Sequence, residues 1–207
     1  MNTNKGMLFD LDGVLVDSEG EYSIFWGGMG ERYGLAPTFA ADIKGTTIGE
    51  ILLNFPEGDR MQILDALHKF ESEMKYPVYP GVMEFLTELR QAGIPSAIVT
   101  SSDNVKMELL FARQPELRGM VDFIVTGSMV THSKPNPEGY LKGADLIGVP
   151  IEDCYVFEDS MQGLQAGRSS GAKVIGIATT NPRAKVEPLA DLTVDSMAGM
   201  SLAKLPL

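Results

Sequence analysis

The sequence predicts an α/β fold in which a parallel β-sheet forms the core and a small helical domain is inserted after the first strand. From about residue 79 onward, short apolar runs alternate with segments of helical periodicity. The runs are apolar at almost every position, which is typical of parallel strands covered on both faces. Residues 18–78 contain helical patterns without a strand signal, so they interrupt this alternation.

The strands are predicted from runs rich in β-branched residues. Met7-Leu8-Phe9 is the first, and its apolar character places it at the centre of the sheet. The later runs span residues 94–100, 123–126, 155–157 and 174–178. Because helical patterns separate these runs, each strand is expected to pair parallel to its neighbours.

Helices are predicted between these strands from periodicity and from end signals. Apolar residues recur with helical spacing over residues 82–89, and Gly93 provides a natural stop. Three residues suited to an N-cap or a first turn predict the starts of further helices: Asp103, Pro137 and Ser160.

The chain is expected to divide into a core of residues 1–17 and 79–207 and a helical domain of residues 18–78. The two helical patterns of the inserted domain run through residues 22–33 and 63–70. The insertion is acidic, with five basic and ten acidic residues.

Composition excludes several classes of protein. The 207 residues are 44% hydrophobic and 22% charged, as in an ordinary globular protein. The net charge of −11 argues against a nucleic-acid partner, because phosphate backbones would be repelled. No apolar run approaches the roughly 20 residues of a membrane helix, and no signal peptide is expected. The single cysteine, Cys154, cannot form an internal disulfide and favours a reducing cytoplasm. The sequence does not determine the oligomeric state, and a monomer is slightly favoured.

The strongest chemical signal is the acidic pair Asp10 and Asp12, which follows the first strand and precedes Gly13. In parallel sheets ligands bind outside the carboxyl ends of the strands, where this pair lies. Aspartates are poor strand formers, and two so close together repel each other unless a cation is bound. For the isolated pair, an ordinary acidic turn is the alternative interpretation.

A second acidic pair, Glu158 and Asp159, ends the run of residues 155–157 and precedes Ser160. Taken alone, it is equally compatible with a strand end that leads into a helix start. If both pairs converge, four carboxylates meet at one rim of the sheet. Hard oxygen ligands of this kind suit Mg²⁺, which is therefore the predicted cofactor.

Two further groups are suited to hold an anion such as phosphate. Thr100, Ser101 and Ser102 place hydroxyls and backbone N–H groups at a strand-to-helix junction. Lys134 lies in a loop that Pro135 and Pro137 would stiffen. For this lysine, a solvated surface position is the alternative interpretation.

The histidines and the cysteine predict no further site. His68 lies in a helical pattern and His132 in a loop, and neither has the spacing of zinc ligands. Cys154 directly precedes a strand and is interpreted as a small buried apolar residue rather than a nucleophile.

In this order, the motifs resemble those of the haloacid dehalogenase superfamily of phosphotransferases. The resemblance covers essentially the whole chain and implies a Rossmann-like parallel sheet core with a helical cap domain inserted after the first strand. The branch it looks most like contains the β-phosphoglucomutases and sugar-phosphate phosphatases. The resemblance rests on Asp10-x-Asp12-Gly13, Thr100, Lys134-Pro135, and Glu158-Asp159-Ser160 leading into Gly163, Ala166 and Gly167.

The resemblance implies a role for each motif residue. Asp10 would be the nucleophile that forms an aspartyl-phosphate, and Asp12 the general acid and then the general base. Thr100 and Lys134 would neutralise the oxygens of the transferring phosphoryl group. The implied Mg²⁺ ligands are Asp10, the Asp12 carbonyl, Asp159 and, directly or through water, Glu158. The implied substrate-binding residues are Ser101, Ser102, Trp26, Lys44, Gly45 and Thr46.

Two positions in the predicted cap depart from the mutases of this branch. Tyr22 stands where many mutases have histidine, and Ile48 stands where they usually carry an arginine that holds the second phosphate. Arginine binds phosphate bidentately, which Ile48 cannot do. A phosphatase acting on a small phosphorylated metabolite is therefore expected. The alternative is a β-phosphoglucomutase that interconverts glucose 1-phosphate and glucose 6-phosphate.

Two other classes are disfavoured. The resemblance implies that the dehalogenase branch lacks the second aspartate and the metal site, both of which are predicted here. A response-regulator receiver, a phospho-acceptor without turnover, places its acidic pair ahead of the acceptor aspartate and has no inserted cap.

Overall fold

Six parallel strands form one sheet in the computed structural model, which describes residues 5–206. The order across the sheet is β3-β2-β1-β4-β5-β6. The first strand therefore lies at the centre, as predicted. The strands are β1 (Gly6–Phe9), β2 (Ser96–Val99), β3 (Phe123–Val125), β4 (Cys154–Glu158), β5 (Lys173–Ile177) and β6 (Leu192–Val194).

Ten α-helices connect these strands within the described residues. Short 3₁₀ turns lie between some of them. The helices are α1 (Glu19–Arg32), α2 (Phe39–Asp42), α3 (Ile48–Leu52), α4 (Arg60–Glu73), α5 (Val82–Ala92), α6 (Asn104–Arg113), α7 (Pro115–Arg118), α8 (Glu138–Ile147), α9 (Met161–Ser170) and α10 (Arg183–Val186).

Both faces of the sheet are buried, which explains why its strands are apolar at successive positions. Met7 and Phe9 point to one face, where they join an apolar cluster with residues of α5 and α6. Leu8 points to the other face, where it packs with residues of α8 and α9. Phe9 also stacks on Phe157 of the neighbouring strand, with ring centroids 4.6 Å apart. The predicted α/β fold is confirmed.

The predicted helix starts agree with the observed caps. The Asp103 carboxylate accepts a hydrogen bond from the Lys106 backbone N–H at 2.9 Å, and Ser160 Oγ accepts one from the Gly163 N–H at 3.0 Å. Pro137 directly precedes α8. The edge strand β6 was not predicted, because Thr193 interrupts its apolar residues and it therefore lacks the continuous apolar run of the other strands.

Helices α1 to α4 pack around an apolar cluster of their own. Trp26, Phe39 and Phe55 are buried in it, and their rings contact one another. The two chain passages that join this helical segment to the sheet run side by side, since Val16 and Val78 form an antiparallel bridge. Among residues 5–206, every helix is too short or too polar to span a lipid bilayer.

Candidate active site

Three buried carboxylates meet at the carboxyl ends of the two central strands. Asp10 follows β1, Glu158 ends β4 and Asp159 follows it, with exposures of 7%, 0% and 1%. One oxygen from each lies within 4.8 Å of the others. Neither oxygen of Asp159 has a hydrogen-bond partner among the described residues. Unpaired buried carboxylate oxygens at this spacing fit a divalent cation such as Mg²⁺.

The crowding of these carboxylates changes their acidity. Burial and the charge of Glu158 raise the pKa of Asp10 from 3.8 to about 7, against the opposing effect of Lys134. Burial and the charges of Glu158, Glu19 and Asp10 hold the pKa of Asp159 well above its ordinary value. Without a cation, Asp10 and Asp159 are therefore protonated more readily than ordinary aspartates.

Lys134 provides the positive charge inside this cluster. Its Nζ donates to Asp10 Oδ1 at 2.8 Å, to Glu158 Oε1 at 2.5 Å and to the Val99 carbonyl at 3.3 Å. Burial lowers the pKa of Lys134, but the charges of Asp10 and Glu158 outweigh burial and raise it above its ordinary value. The side chain is only 7% exposed, which excludes the alternative of a solvated surface lysine.

Glu158 is fully occupied by protein donors. Its Oε1 accepts from Lys134 and from the Tyr140 hydroxyl at 2.7 Å. Its Oε2 accepts from the backbone N–H groups of Asp159 and Ser160 at 3.0 and 3.1 Å, and from Ser160 Oγ at 3.1 Å. Glu158 therefore fixes Lys134 and the start of α9. Tyr140 was not singled out from the sequence, since it belongs to the apolar face of α8.

Two glycines leave the space that the carboxylates occupy. Gly13 has φ of +80°, and a Cβ atom there would overlap the Asp159 carboxylate. A Cβ atom at Gly163 would overlap the Glu158 carboxylate. Any larger residue at either position would displace an acidic side chain.

The Asp12 carboxylate lies outside the cluster of three. It accepts hydrogen bonds from the Ser18 hydroxyl, from the Ser102 hydroxyl at 3.3 Å and from Lys106 Nζ. Lys106 and the two serines hold the Asp12 side chain toward α6, so the group of oxygens within 4.8 Å of one another contains three of the four predicted carboxylates. The prediction that Asp12 joins them at one rim stays a prediction. The prediction for the Asp12 carbonyl concerns a backbone atom and stays a prediction.

The third motif lies where β2 ends. Thr100 is buried, and its Oγ1 accepts from the Ser102 backbone N–H at 3.1 Å. Ser101 Oγ donates to the Gly45 carbonyl of the helical segment at 2.6 Å. Ser101 therefore joins the end of β2 to the helical segment.

A cavity of about 100 Å³ lies between the sheet edge and the helical segment. Lys134, Glu158 and Asp159 lie outside its lining. The predicted residues that line it are Asp10, Asp12, Trp26, Lys44, Gly45, Thr46, Thr100, Ser101 and Ser102.

The helical segment closes this cavity through polar contacts with the core. Gln162 donates to the Asp42 carbonyl at 2.7 Å, and the Ser133 N–H donates to Glu50 at 3.2 Å. Lys44 is paired with Glu19 within the segment.

Several polar residues near the cavity were missed in the sequence. Lys106 is only 3% exposed, and Glu71 is buried on α4. His68 and Asp103 make a hydrogen bond of 2.9 Å, and with Glu71 they form a second group whose ligand atoms lie within 4.8 Å of one another. Spacing along the chain could not reveal this group, because α4 and the residue before α6 are distant in sequence.

The remaining candidates lie away from the cavity. His132 is exposed and contacts Glu138. Cys154 is fully buried, and burial raises the pKa of its thiol to about 12, as expected of an apolar residue rather than a nucleophile.

The repulsion among the carboxylates predicts a pH-dependent stability in EDTA. Because the pKa of folded Asp10 lies above its ordinary value of 3.8, the free energy of unfolding should fall as pH rises from about 4 to about 7. At pH 8, Asp10→Asn should therefore raise the Tm by at least about 3 °C. Differential scanning calorimetry checks this, with the exposed Asp145→Asn as control. A lower Tm for Asp10→Asn would contradict the conclusion that the ionised Asp10 carboxylate destabilises the folded protein in EDTA.

The chain is similar to known proteins over nearly its whole length. Haloacid dehalogenase-like hydrolases match the chain over residues 7–177. Hexitol phosphatase A of Escherichia coli (strain K12) is 33% identical over 211 residues, covering 98% of this chain and 95% of that protein. The structure of CbbY from Rhodobacter sphaeroides in complex with phosphate has a TM-score of 0.82 at 25% identity, with coverages of 98% and 99%. A β-phosphoglucomutase from Clostridium difficile shares the fold, with a TM-score of 0.80 at 21% identity and coverages of 96% and 94%. The chain belongs to the haloacid dehalogenase-like hydrolase family.

Proposed function

We propose that this protein is a Mg²⁺-dependent phosphatase that hydrolyses small phosphomonoesters, such as sugar phosphates, through an aspartyl-phosphate. The observation that carries the proposal is the position of Asp10 at the end of the central strand. Its carboxylate is held by Lys134 at 2.8 Å and lies beside the unpaired carboxylate of Asp159. A nucleophile, a cation site and a fixed positive charge thus converge at one point.

The relatives support this reading of the site. The similarity to hexitol phosphatase A extends over nearly the whole of both chains, so the site and the helical segment are both included. A small phosphorylated metabolite is therefore the proposed partner, and the cytoplasm the proposed location.

Asp10, Asp159 and the Asp12 carbonyl are proposed to hold the Mg²⁺. Glu158 would contact it through water, because both Glu158 oxygens already accept hydrogen bonds from the protein. When bound, Mg²⁺ supplies the positive charge that lets a carboxylate approach a phosphate dianion.

In the first half of the reaction, a carboxylate oxygen of Asp10 attacks phosphorus in line, and the bond between phosphorus and the alcohol oxygen breaks. Asp12 gives a proton to the departing alcohol. Lys134, the Thr100 hydroxyl and nearby backbone N–H groups neutralise the phosphoryl oxygens. The contacts of Asp12 with Lys106 and Ser102 hold its carboxylate at the cavity, where the leaving group would lie.

In the second half, water attacks the phosphorus of the aspartyl-phosphate. Asp12 takes the proton from this water, and Asp10 leaves as a carboxylate while inorganic phosphate forms. The same residue therefore acts as acid and then as base.

Residues 18–78 are proposed to act as a cap domain over a catalytic core of residues 1–17 and 79–207. The contacts from Gly45 to Ser101 and from Asp42 to Gln162 support a closed position that excludes bulk water. The hinge would be formed by the two chain passages that pair at Val16 and Val78. A hydrogen bond of 3.0 Å from the Tyr79 hydroxyl to Asp17 also links these two passages. The proposed substrate-binding residues are Trp26, Lys44, Gly45, Thr46, Ser101 and Ser102.

Removing Asp159 should remove most of the activity. We expect Asp159→Ala to lower kcat/KM by about 100-fold or more, with only partial recovery in excess Mg²⁺, because a metal ligand is missing. Release of phosphate from glucose 6-phosphate or p-nitrophenyl phosphate provides the assay, and Asp145→Ala on the surface of α8 is the matched control. Activity that survives both Asp159→Ala and EDTA would show that the carboxylate cluster holds no catalytic metal.

Phosphatase activity should dominate over mutase activity. A mutase must retain a bisphosphate while it turns around, and Ile48, which lines the cavity, offers no positive charge for the second phosphate. With β-glucose 1-phosphate and catalytic glucose 1,6-bisphosphate, free phosphate should exceed glucose 6-phosphate. Faster formation of glucose 6-phosphate than of phosphate would favour the β-phosphoglucomutase alternative.

A further inference from the structure

Glu71 lies on the cavity lining and carries a buried carboxylate oxygen that has no hydrogen-bond partner among the described residues. It is 3% exposed and lies among apolar lining residues that include Trp26 and Leu67. Its Oε1 accepts from the Tyr22 hydroxyl at 2.8 Å, whereas its Oε2 has no partner within residues 5–206. An unpaired buried acceptor costs free energy, so a missing donor is expected.

The surroundings hold Glu71 and Tyr22 in place. The Tyr76 hydroxyl donates to the Glu71 carbonyl at 3.0 Å. The Tyr22 ring packs against Phe70 with centroids 6.0 Å apart, and Lys106 Nζ lies 4.4 Å from the Tyr22 ring centroid. These contacts fix the pair on the lining of the cavity, where an occupant could supply the missing donor.

The charge of the cavity restricts what this occupant carries. Five acidic and two basic residues line it. Both of these cations are already paired, Lys44 with Glu19 and Lys106 with Asp12. A second phosphate near Glu71 would therefore meet a like charge without a free cation to offset it. An uncharged hydroxyl meets no such repulsion and can donate the missing hydrogen bond.

We propose that Glu71 and Tyr22 form a hydroxyl-binding subsite on the part of the cavity lining that the helical segment contributes. A hydroxyl on the carbon chain of the substrate donates to Glu71 Oε2, while the apolar lining contacts the chain itself. The subsite selects polyol and sugar monophosphates over bisphosphates. This inference rests on the proposed phosphatase function, since it assumes that the phosphate lies at Asp10.

The test compares two phosphate esters that share a six-carbon chain. Sorbitol 6-phosphate carries hydroxyls along the chain and hexyl phosphate carries none. Phosphate release in Mg²⁺ gives kcat/KM for the wild type, for Glu71→Gln and for the control Glu73→Gln. Glu73 is an exposed residue at the end of the same helix, so the control makes the same chemical change away from the cavity.

Glu71→Gln should lower kcat/KM for sorbitol 6-phosphate at least about tenfold more than for hexyl phosphate, as expected for the loss of one charge-assisted hydrogen bond. Glu73→Gln should leave kcat/KM unchanged for both sorbitol 6-phosphate and hexyl phosphate. The wild type should prefer sorbitol 6-phosphate over fructose 1,6-bisphosphate, and Glu71→Gln should narrow that preference, because it removes the like charge.

Equal losses on sorbitol 6-phosphate and hexyl phosphate would overturn the inference and leave Glu71 with a structural role. If Glu71→Gln does not fold, Tyr22→Phe replaces it, with an expected selective loss of about threefold to tenfold. A wild type that hydrolyses none of the three esters would instead contradict the proposed function itself. The two failures are therefore distinguishable.

Discussion

The burial of three carboxylates at one edge of the sheet is the constraint on which the rest of the site depends. Asp10, Glu158 and Asp159 are almost completely removed from water, and one oxygen of each lies within 4.8 Å of the others. In isolation this arrangement is unfavourable, as the raised pKa values of Asp10 and Asp159 show. It becomes favourable only with protons or with a bound cation. The fold therefore presents an acidic cluster that could hold a divalent cation, and this is where the proposed Mg²⁺ would bind.

The neighbouring residues follow from this constraint. Lys134 can be buried because it pairs with Asp10 and Glu158 and neutralises part of their charge. The oxygens of Glu158 accept hydrogen bonds from Lys134 and from the backbone at the start of α9. Gly13 and Gly163 leave the room that the carboxylates need. Fixed charge of this kind lowers the reorganisation that a phosphoryl transfer requires, because the neutralising groups are in place before the substrate binds.

The helical segment supplies part of the cavity lining. This part is apolar around Trp26 and acidic at Glu71, and the charge of Lys44 is neutralised by Glu19. In the proposed function, the core would contain the reacting groups and the segment would contain the groups that contact the rest of the substrate. A change in this segment would then alter the substrate without altering the reacting groups.

The sequence predicts the sheet and the position of Asp10 well, because strand periodicity and strand ends are local features. The central place of β1 and the caps at Asp103 and Ser160 follow from the same local signals.

What sequence could not show is which side chains meet across the fold. The Asp12 carboxylate is paired with Lys106, a residue from another element, and no local pattern in the sequence indicates this pair. The burial of Glu71 could have been predicted from the sequence, because Glu71 continues the apolar face that Ile63 and Leu67 define on α4. Its partner Tyr22 is 49 residues away and only the fold brings them together.

The central claim is that Asp10 becomes phosphorylated during turnover. Borohydride added during hydrolysis of a phosphomonoester reduces an aspartyl-phosphate to homoserine, and peptide mass spectrometry locates the reduced residue. We predict reduction at position 10, dependent on both substrate and Mg²⁺. Phosphate release with an unmodified Asp10, or reduction at another carboxylate such as Asp12, would contradict this account.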